Sequence, residues 1–155
     1  MTETRVSSPS DSRGIASLQE MAFASVRHVY RPKQGAKPDS HANEHGVVKI
    51  VALHRDSLVG SITAIPERSH LRLSTLAVHP NHRRRGGARL LIAHAERLAV
   101  TDGCSTMILN TIRETGNADV FTRLGFVITN ETVADWCTSE SFAVLHDLTM
   151  QRQCG

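Results

Sequence analysis

The sequence predicts an α/β domain in which a mixed, mostly antiparallel sheet carries helices on both faces. Three apolar alternating segments, at residues 47–53, 58–65 and 71–78, are separated by short turns and predict an antiparallel meander. An amphipathic segment over 88–99 and an apolar segment over 106–112 follow, and a strand, a helix and a strand at this spacing form a parallel crossover. The length of 155 residues fits a single domain over residues 1–155.

Two elements are predicted before the meander. Residues 4–7 favour a short strand. A helix start signal follows, because Ser8 suits an N-cap, Pro9 suits the first helical position and Asp11 completes a capping box. The apolar face of this helix is formed by Ile15, Leu18, Ala22 and Val26.

The segment over residues 28–46 shows no periodicity, and we interpret it either as a solvated loop or as a flap over a binding site. Its basic and aromatic side chains suit a small molecule that bears a carboxylate or a phosphate. They are Tyr30, Arg31, Lys33 and Lys37. Residues 41–45 match the zinc-protease pattern HxxEH, but the segment lacks the apolar helical face that such a site needs. No metal site is therefore predicted.

The chain after the crossover predicts a short helix over 117–124 that Gly125 ends. Closing strands are predicted over 126–129 and 141–150. The polar loop between them, over 130–140, contains Trp136, which is either a core residue or one wall of an acceptor pocket.

Composition narrows the class of protein. The formal net charge of +3 favours anionic ligands without requiring nucleic acid. The three cysteines, Cys104, Cys137 and Cys154, are widely spaced, which favours reduced thiols over a disulfide framework. No apolar run reaches the length of a membrane span, and the first residues lack the apolar centre of a signal peptide. We therefore expect a cytoplasmic protein that does not bind a membrane.

The third strand of the meander changes its phase. Leu71 and Leu73 alternate in one phase, whereas Leu76 and Val78 alternate in the other. A shift of one residue would turn the later pair to the wrong face of the sheet. A β-bulge near Ser74 absorbs such a shift, bends the strand and leaves backbone groups for a ligand.

The turn that follows this strand is suited to an anion. Gly86 and Gly87 let a ligand approach the backbone closely, and a helix begins directly after them. The first turn of a helix has N–H groups without partners and favours negative charge. The guanidinium groups around the turn suit phosphate and belong to Arg83, Arg84, Arg85 and Arg89.

These motifs resemble those of the GNAT superfamily of acyl-CoA-dependent N-acyltransferases. Residues 83–88, which read RRRGGA, are similar to the family's central motif Gln/Arg-x-x-Gly-x-Gly/Ala. Residues 114–117 and 121–126 extend the resemblance, with Phe121 in place of the tyrosine that is usual in the family. The resemblance implies a sheet whose two central strands splay apart, with acyl-CoA in the gap.

The same resemblance implies a function and a cofactor site. It implies transfer of an acetyl or other acyl group from CoA to an amine of a small molecule by direct attack, in a monomer or homodimer. Acetyl-CoA would be held by Leu76, Ala77, Val78, Arg83, Arg84, Arg85, Gly86, Gly87, Ala88, Arg89, Asn117 and Phe121. The alternatives are a domain that binds or senses acyl-CoA without turnover and, on the arginines alone, a domain that binds RNA.

The catalytic groups are not evident from the motifs. The family often carries a glutamate in the strand over 71–78, where this chain has Arg72 and Ser74. Candidates for the base are Ser74, His70, Glu67, His28 and a water relay. Tyr30 is the only tyrosine and is the candidate for the acid that Phe121 cannot supply.

Overall fold

The computed structural model describes residues 2–33 and 46–155. In these two ranges the chain forms three α-helices, Ser12–Val26 (α1), Gly87–Thr101 (α2) and Ala118–Arg123 (α3). The same ranges contain nine strands, which are Thr2–Val6 (β1), Arg31–Pro32 (β2), Val48–His54 (β3), Ser57–Glu67 (β4), His70–Val78 (β5), Thr106–Ile112 (β6), Val127–Val133 (β7), Cys137–Thr138 (β8) and His146–Gln153 (β9).

Seven of these strands form one sheet in the order β1-β3-β4-β5-β6-β9-β7, and β2 pairs with β8 in a separate ribbon. Among the described strand pairs, β5 and β6 alone run parallel. The prediction of a mixed, mostly antiparallel sheet is confirmed. The helix α2 and its flanking strands form the predicted parallel crossover.

The pairing between β5 and β6 is short. It covers three residues at the start of β5, from His70 opposite Thr106 to Arg72 opposite Ile108. Beyond Arg72 no described residue of β6 pairs with β5, and the two strands diverge. The predicted splay of the central strand pair is thereby confirmed.

The predicted bulge lies in the diverging half of β5. Ser74 pairs with Thr63 and Ala77 pairs with Ser61, so that two residues of β5 stand opposite Ile62 alone. Thr75, within the bulge, has a φ of 50°. The phase shift between Leu73 and Leu76 therefore has the predicted cause.

The helices α1 and α2 lie on opposite faces of the sheet. Leu91 of α2 is buried in a cluster with Ile62 and Leu71. Side chains alternate along β4, so Thr63 faces the other way. Its hydroxyl is 2.9 Å from that of Thr75, which accepts a hydrogen bond from Gln19 of α1. At the start of this helix, Ser8 and Asp11 form the predicted capping box around a 3₁₀ turn.

The predictions for the last part of the sheet are partly wrong. The strand predicted over 126–129 continues to Val133, and the strand predicted over 141–150 begins only at His146. All seven residues of the edge strand β7 are exposed, so both of its faces are uncovered and its sequence lacks the alternation that marks a half-buried strand. The segment predicted to be irregular over 28–46 contains β2. Its Lys37 and its HxxEH pattern lie outside the described residues.

Three properties follow directly from the described ranges. None of their helices is long and apolar enough to cross a membrane. They contain no group of three or more His, Cys, Asp or Glu side chains arranged to hold a metal ion. Their cysteines, Cys104, Cys137 and Cys154, are free thiols.

Candidate active site

A cavity of about 780 Å³ opens where β5 and β6 diverge. Leu76 and Val78 of β5 lie on one side, and Asn110, Thr111 and Ile112 of β6 lie on the other. The bulge and the early end of the strand pairing thus create the space in the sheet.

The first end of the cavity is basic and lies at the start of α2. Gly86 is the N-cap of this helix, with a φ of 80°, and Arg84 also has a positive φ of 64°. Backbone N–H groups in the first helical turn have no partner within the helix, which favours an anion there. The lining residues at this end are His82, Arg83, Arg84, Gly86, Gly87, Ala88 and Arg89.

The helix α3 forms a further wall of the cavity. Asn117, Val120, Phe121 and Leu124 line it. Phe121 also contacts the buried Phe126 edge to face, with ring centroids 6.1 Å apart. Phe121 therefore borders the cavity and anchors α3 to the core at the same time.

The second end of the cavity is aromatic and contains a carboxylate. Tyr30 and Trp136 stand edge to face, with ring centroids 5.8 Å apart and an interplanar angle of 86°. Asp147 of β9 lines the same region. Burial raises the pKa of Tyr30 above its usual value, and electrostatic interactions with Asp147 and with Cys137 raise that pKa further. The Tyr30 hydroxyl therefore stays protonated at neutral pH.

The sequence matches the model of the acetyltransferase (GNAT) family over residues 14–126. The chain belongs to the GNAT family. No protein of curated function matches it significantly. Membership supports acyl transfer from CoA.

Three solved structures illustrate the GNAT fold that this chain shares. Nourseothricin acetyltransferase has a TM-score of 0.75 at 20% identity, with 99% of each chain covered. The ribosomal-protein-S18-alanine N-acetyltransferase of Escherichia coli has a TM-score of 0.71 at 14% identity, covering 100% of this chain and 95% of the other. An aminoglycoside 6'-N-acetyltransferase complexed with coenzyme A has a TM-score of 0.68 at 16% identity, covering 97% and 96%.

The cavity of this GNAT domain brings together most of the residues predicted to hold acetyl-CoA. Among the predicted set, the cavity-lining residues are Leu76, Val78, Arg83, Arg84, Gly86, Gly87, Ala88, Arg89, Asn117 and Phe121. Ala77 and Arg85 do not line it: the side chain of Ala77 is buried, and Arg85 is exposed. Which of these residues bind the cofactor stays a prediction.

The structure does not bring the predicted base candidates to this cavity. His70 begins β5, where β5 and β6 are still paired, and its Nε2 lies 3.0 Å from Oε2 of Glu67. Neither residue lines the cavity, nor do His28 and Ser74. Only Tyr30 of the predicted catalytic residues does so. The sequence does not show which residues of β5 pair with β6. His70 is one of the paired residues, so it lies in the closed part of the sheet and not at the gap.

The polar cavity-lining residues that were missed from the sequence include Asn110 of β6 and Asp147 of β9. Asn110 Nδ2 donates to Asp147 Oδ1 at 3.0 Å and to Thr149 Oγ1 at 3.1 Å. Each is an ordinary polar position in an alternating strand. Their proximity depends on the antiparallel pairing of β6 with β9, which local patterns do not reveal.

Proposed function

We propose that this GNAT domain transfers an acetyl group from acetyl-CoA to an amine of a small molecule by direct attack. One observation carries the proposal: a single cavity joins the basic start of α2 to the aromatic and acidic region around Asp147. A two-substrate reaction needs such a continuous space, because the two reacting groups must meet within van der Waals distance.

The basic end suits the phosphates of the co-substrate. Backbone N–H groups from Arg84 to Arg89 hold the pyrophosphate, and the flanking guanidinium groups add charge-assisted hydrogen bonds. Gly86 fits this role because nothing lies within 4 Å of the position that a Cβ would occupy, so its backbone is open to a ligand. Backbone groups at the bulge, around Leu76, bind the pantetheine arm and polarise the thioester carbonyl.

The middle of the cavity is where the transfer takes place. A C–N bond forms between the amine and the acetyl carbon, and the C–S bond breaks with loss of a thiolate. Tyr30 gives the thiolate its proton, because Tyr30 lines the cavity and its raised pKa keeps the hydroxyl protonated at neutral pH. The proton of the attacking amine leaves through water, since His70 and Glu67 are bonded to each other away from the cavity.

Two measurements on the wild-type protein test the proposal. Calorimetry should show binding of acetyl-CoA, and an amine panel should give acceptor-dependent release of free CoA thiol. Binding without release for any amine would favour the alternative, a domain that binds or senses acyl-CoA. That alternative is supported by Phe121, which occupies the position of the family's usual acid.

A further inference from the structure

The charges around the cavity are divided between its two ends. Four arginines line it on the α2 and α3 side, Arg83, Arg84, Arg89 and Arg123. Asp147 is the one acidic side chain among the described lining residues, and it lies at the other end with Tyr30 and Trp136. The division suggests that the two substrates differ in charge at these ends.

The Asp147 carboxylate is held in place through Asn110. The Oδ1 of Asn110 accepts a hydrogen bond from Arg72 Nη1 at 2.8 Å. Because a guanidinium has donors only, this bond orients the Asn110 amide with its NH₂ group toward Asp147. Asn110 Nδ2 then donates to Asp147 Oδ1 at 3.0 Å. No described residue donates a hydrogen bond to the other carboxylate oxygen of Asp147, and Asp147 lines the cavity.

Arg72 is itself fixed by a carboxylate. Its Nε donates to Glu67 Oε1 at 2.7 Å, and His70 Nε2 lies 3.0 Å from Glu67 Oε2. Burial raises the pKa of Glu67, but the hydrogen bonds from Arg72 and His70 outweigh it and leave the pKa lowered. Glu67 is therefore ionised at neutral pH. Glu67 and His70 were predicted as candidates for the base. Here they hold Arg72, whose guanidinium in turn orients the Asn110 side chain that contacts Asp147.

The backbone beside Asp147 is fixed from the opposite side. Glu114 Oε1 accepts a hydrogen bond from the backbone N–H of His146 at 2.6 Å, and Glu114 Oε2 lies 3.0 Å from His146 Nδ1. Burial raises the pKa of Glu114, but the bonds from His146 outweigh it and lower the pKa. The position of the Asp147 carboxylate is thus fixed in two ways. Glu114 holds the start of β9, and the hydrogen bonds from Glu67 through Arg72 and Asn110 hold the side chain.

The aromatic pair completes the surroundings of this carboxylate. Trp136 is 39% exposed, so one part of its ring is open to a ligand, while Tyr30 is half-buried behind it. Aromatic faces attract cations, and tryptophan does so most strongly. A carboxylate and an aromatic pair together are suited to an ammonium group.

We propose that the Asp147 end of the cavity binds a cationic acceptor, an amine that carries a second ammonium group besides the amine that is acetylated. The inference rests on the proposed function for the acetylation step. It replaces the expectation of an acceptor bearing a carboxylate or phosphate, since neither Arg31 nor Lys33 lines the cavity. Asp147 is the counter-ion of the second ammonium group, Trp136 covers it, and Asn110 and Arg72 are positioning residues.

The test uses three probes of matched chain length: cadaverine, pentylamine and ω-aminovalerate. Their binding is measured by calorimetry with and without CoA. Cadaverine should bind more tightly than pentylamine by about 10- to 100-fold, as expected for a hydrogen bond between charged groups. Asp147→Asn should abolish this preference while CoA affinity and Tm stay unchanged. Asp147→Glu, which keeps the charge, should retain part of it.

Asp135→Asn is the matched control, because Asp135 is an exposed carboxylate beside Trp136 that does not line the cavity. It removes the same charge and should leave the preference for cadaverine intact. Equal binding of cadaverine and pentylamine by the wild type, tighter binding of ω-aminovalerate, or a preference that survives Asp147→Asn would each overturn the proposal. If the protein prefers cadaverine but does not bind CoA, the cationic site is supported and the proposed acetyl transfer is refuted.

Discussion

Gly86→Glu tests the basic end of the cavity most directly. Gly86 precedes α2 in the left-handed region, and a Cβ there meets no atom within 4 Å. A side chain is therefore accommodated without collision, and the backbone strain of a non-glycine residue costs about 1–2 kcal/mol. Because Gly86 lines the cavity, the new carboxylate would lie beside the proposed phosphate site and repel the phosphates.

The magnitude follows from the distance and the exposure. Two unit charges 4 Å apart interact by about 4 kcal/mol near a protein surface of effective dielectric constant 20, and by about 1 kcal/mol in bulk water. Gly86 is exposed, so the loss should fall between these limits. The Kd of acetyl-CoA should therefore rise roughly 5- to 1,000-fold.

Gly103→Glu is the matched control for this variant. Gly103 follows the other end of α2, also has a positive φ, of 76°, and also has open space around its Cβ position. It carries the same backbone strain and the same charge but lies away from the cavity. Calorimetry with acetyl-CoA should separate the two variants, and Tm should show that both fold. An equal Kd in both variants would refute a phosphate site at Gly86.

Three further predictions concern the acid, the wall of the cavity and the first helix. Tyr30→Phe should lower kcat by about 10²–10⁴-fold at all pH values below the raised pKa of Tyr30, and overlapping pH profiles would remove Tyr30 from the mechanism. Phe121→Ala should lower Tm through lost contact with Phe126 and leave measurable turnover; complete loss of kcat at unchanged Tm would contradict this packing role. The Arg5 guanidinium and the Ser8 N–H lower the pKa of Asp11 from 3.8 to about 2. The stability they add is present above pH 3.8 and lost as the pH falls toward about 2, so the Tm difference between wild type and Asp11→Asn should vanish there; a constant difference would refute the assignment.

The part of the site that could be predicted from the sequence is the part made by contiguous residues. The phase change between Leu73 and Leu76 is local, and it predicts the bulge because side chains alternate strictly along a strand. The paired glycines before an amphipathic segment are also local, and they predict a backbone that a ligand can approach at the start of a helix. The left-handed conformation of Gly86 at the N-cap was not predicted. Each of these features needs only a few consecutive residues to be recognised.

The part that could not be predicted depends on strand register. The sequence does not state which residues of β9 stand opposite β6, so Asp147 was one polar residue among many. The same limit led to His70 being proposed as a base, since its distance from the gap depends on where the pairing of β5 with β6 ends. The predicted strand over 126–129 was too short for a different reason. Both faces of β7 are exposed, and its sequence therefore lacks the alternation of apolar and polar residues.

Strand pairing also explains why the two ends of the cavity lie where they do. β5 pairs with β6 only from His70 to Arg72, so Leu76 and Val78 in its later half border the gap instead of a neighbouring β6 residue. In the proposed reaction, the amide groups of the pantetheine arm lie along this part of β5 and lead to the start of α2. Across the gap, β6 remains paired with β9, and Ile112 stands opposite Asp147. The short β5–β6 pairing therefore opens the sheet, and the β6–β9 pairing places the carboxylate on the far side of the opening, where an acceptor amine would face the thioester in the proposed reaction.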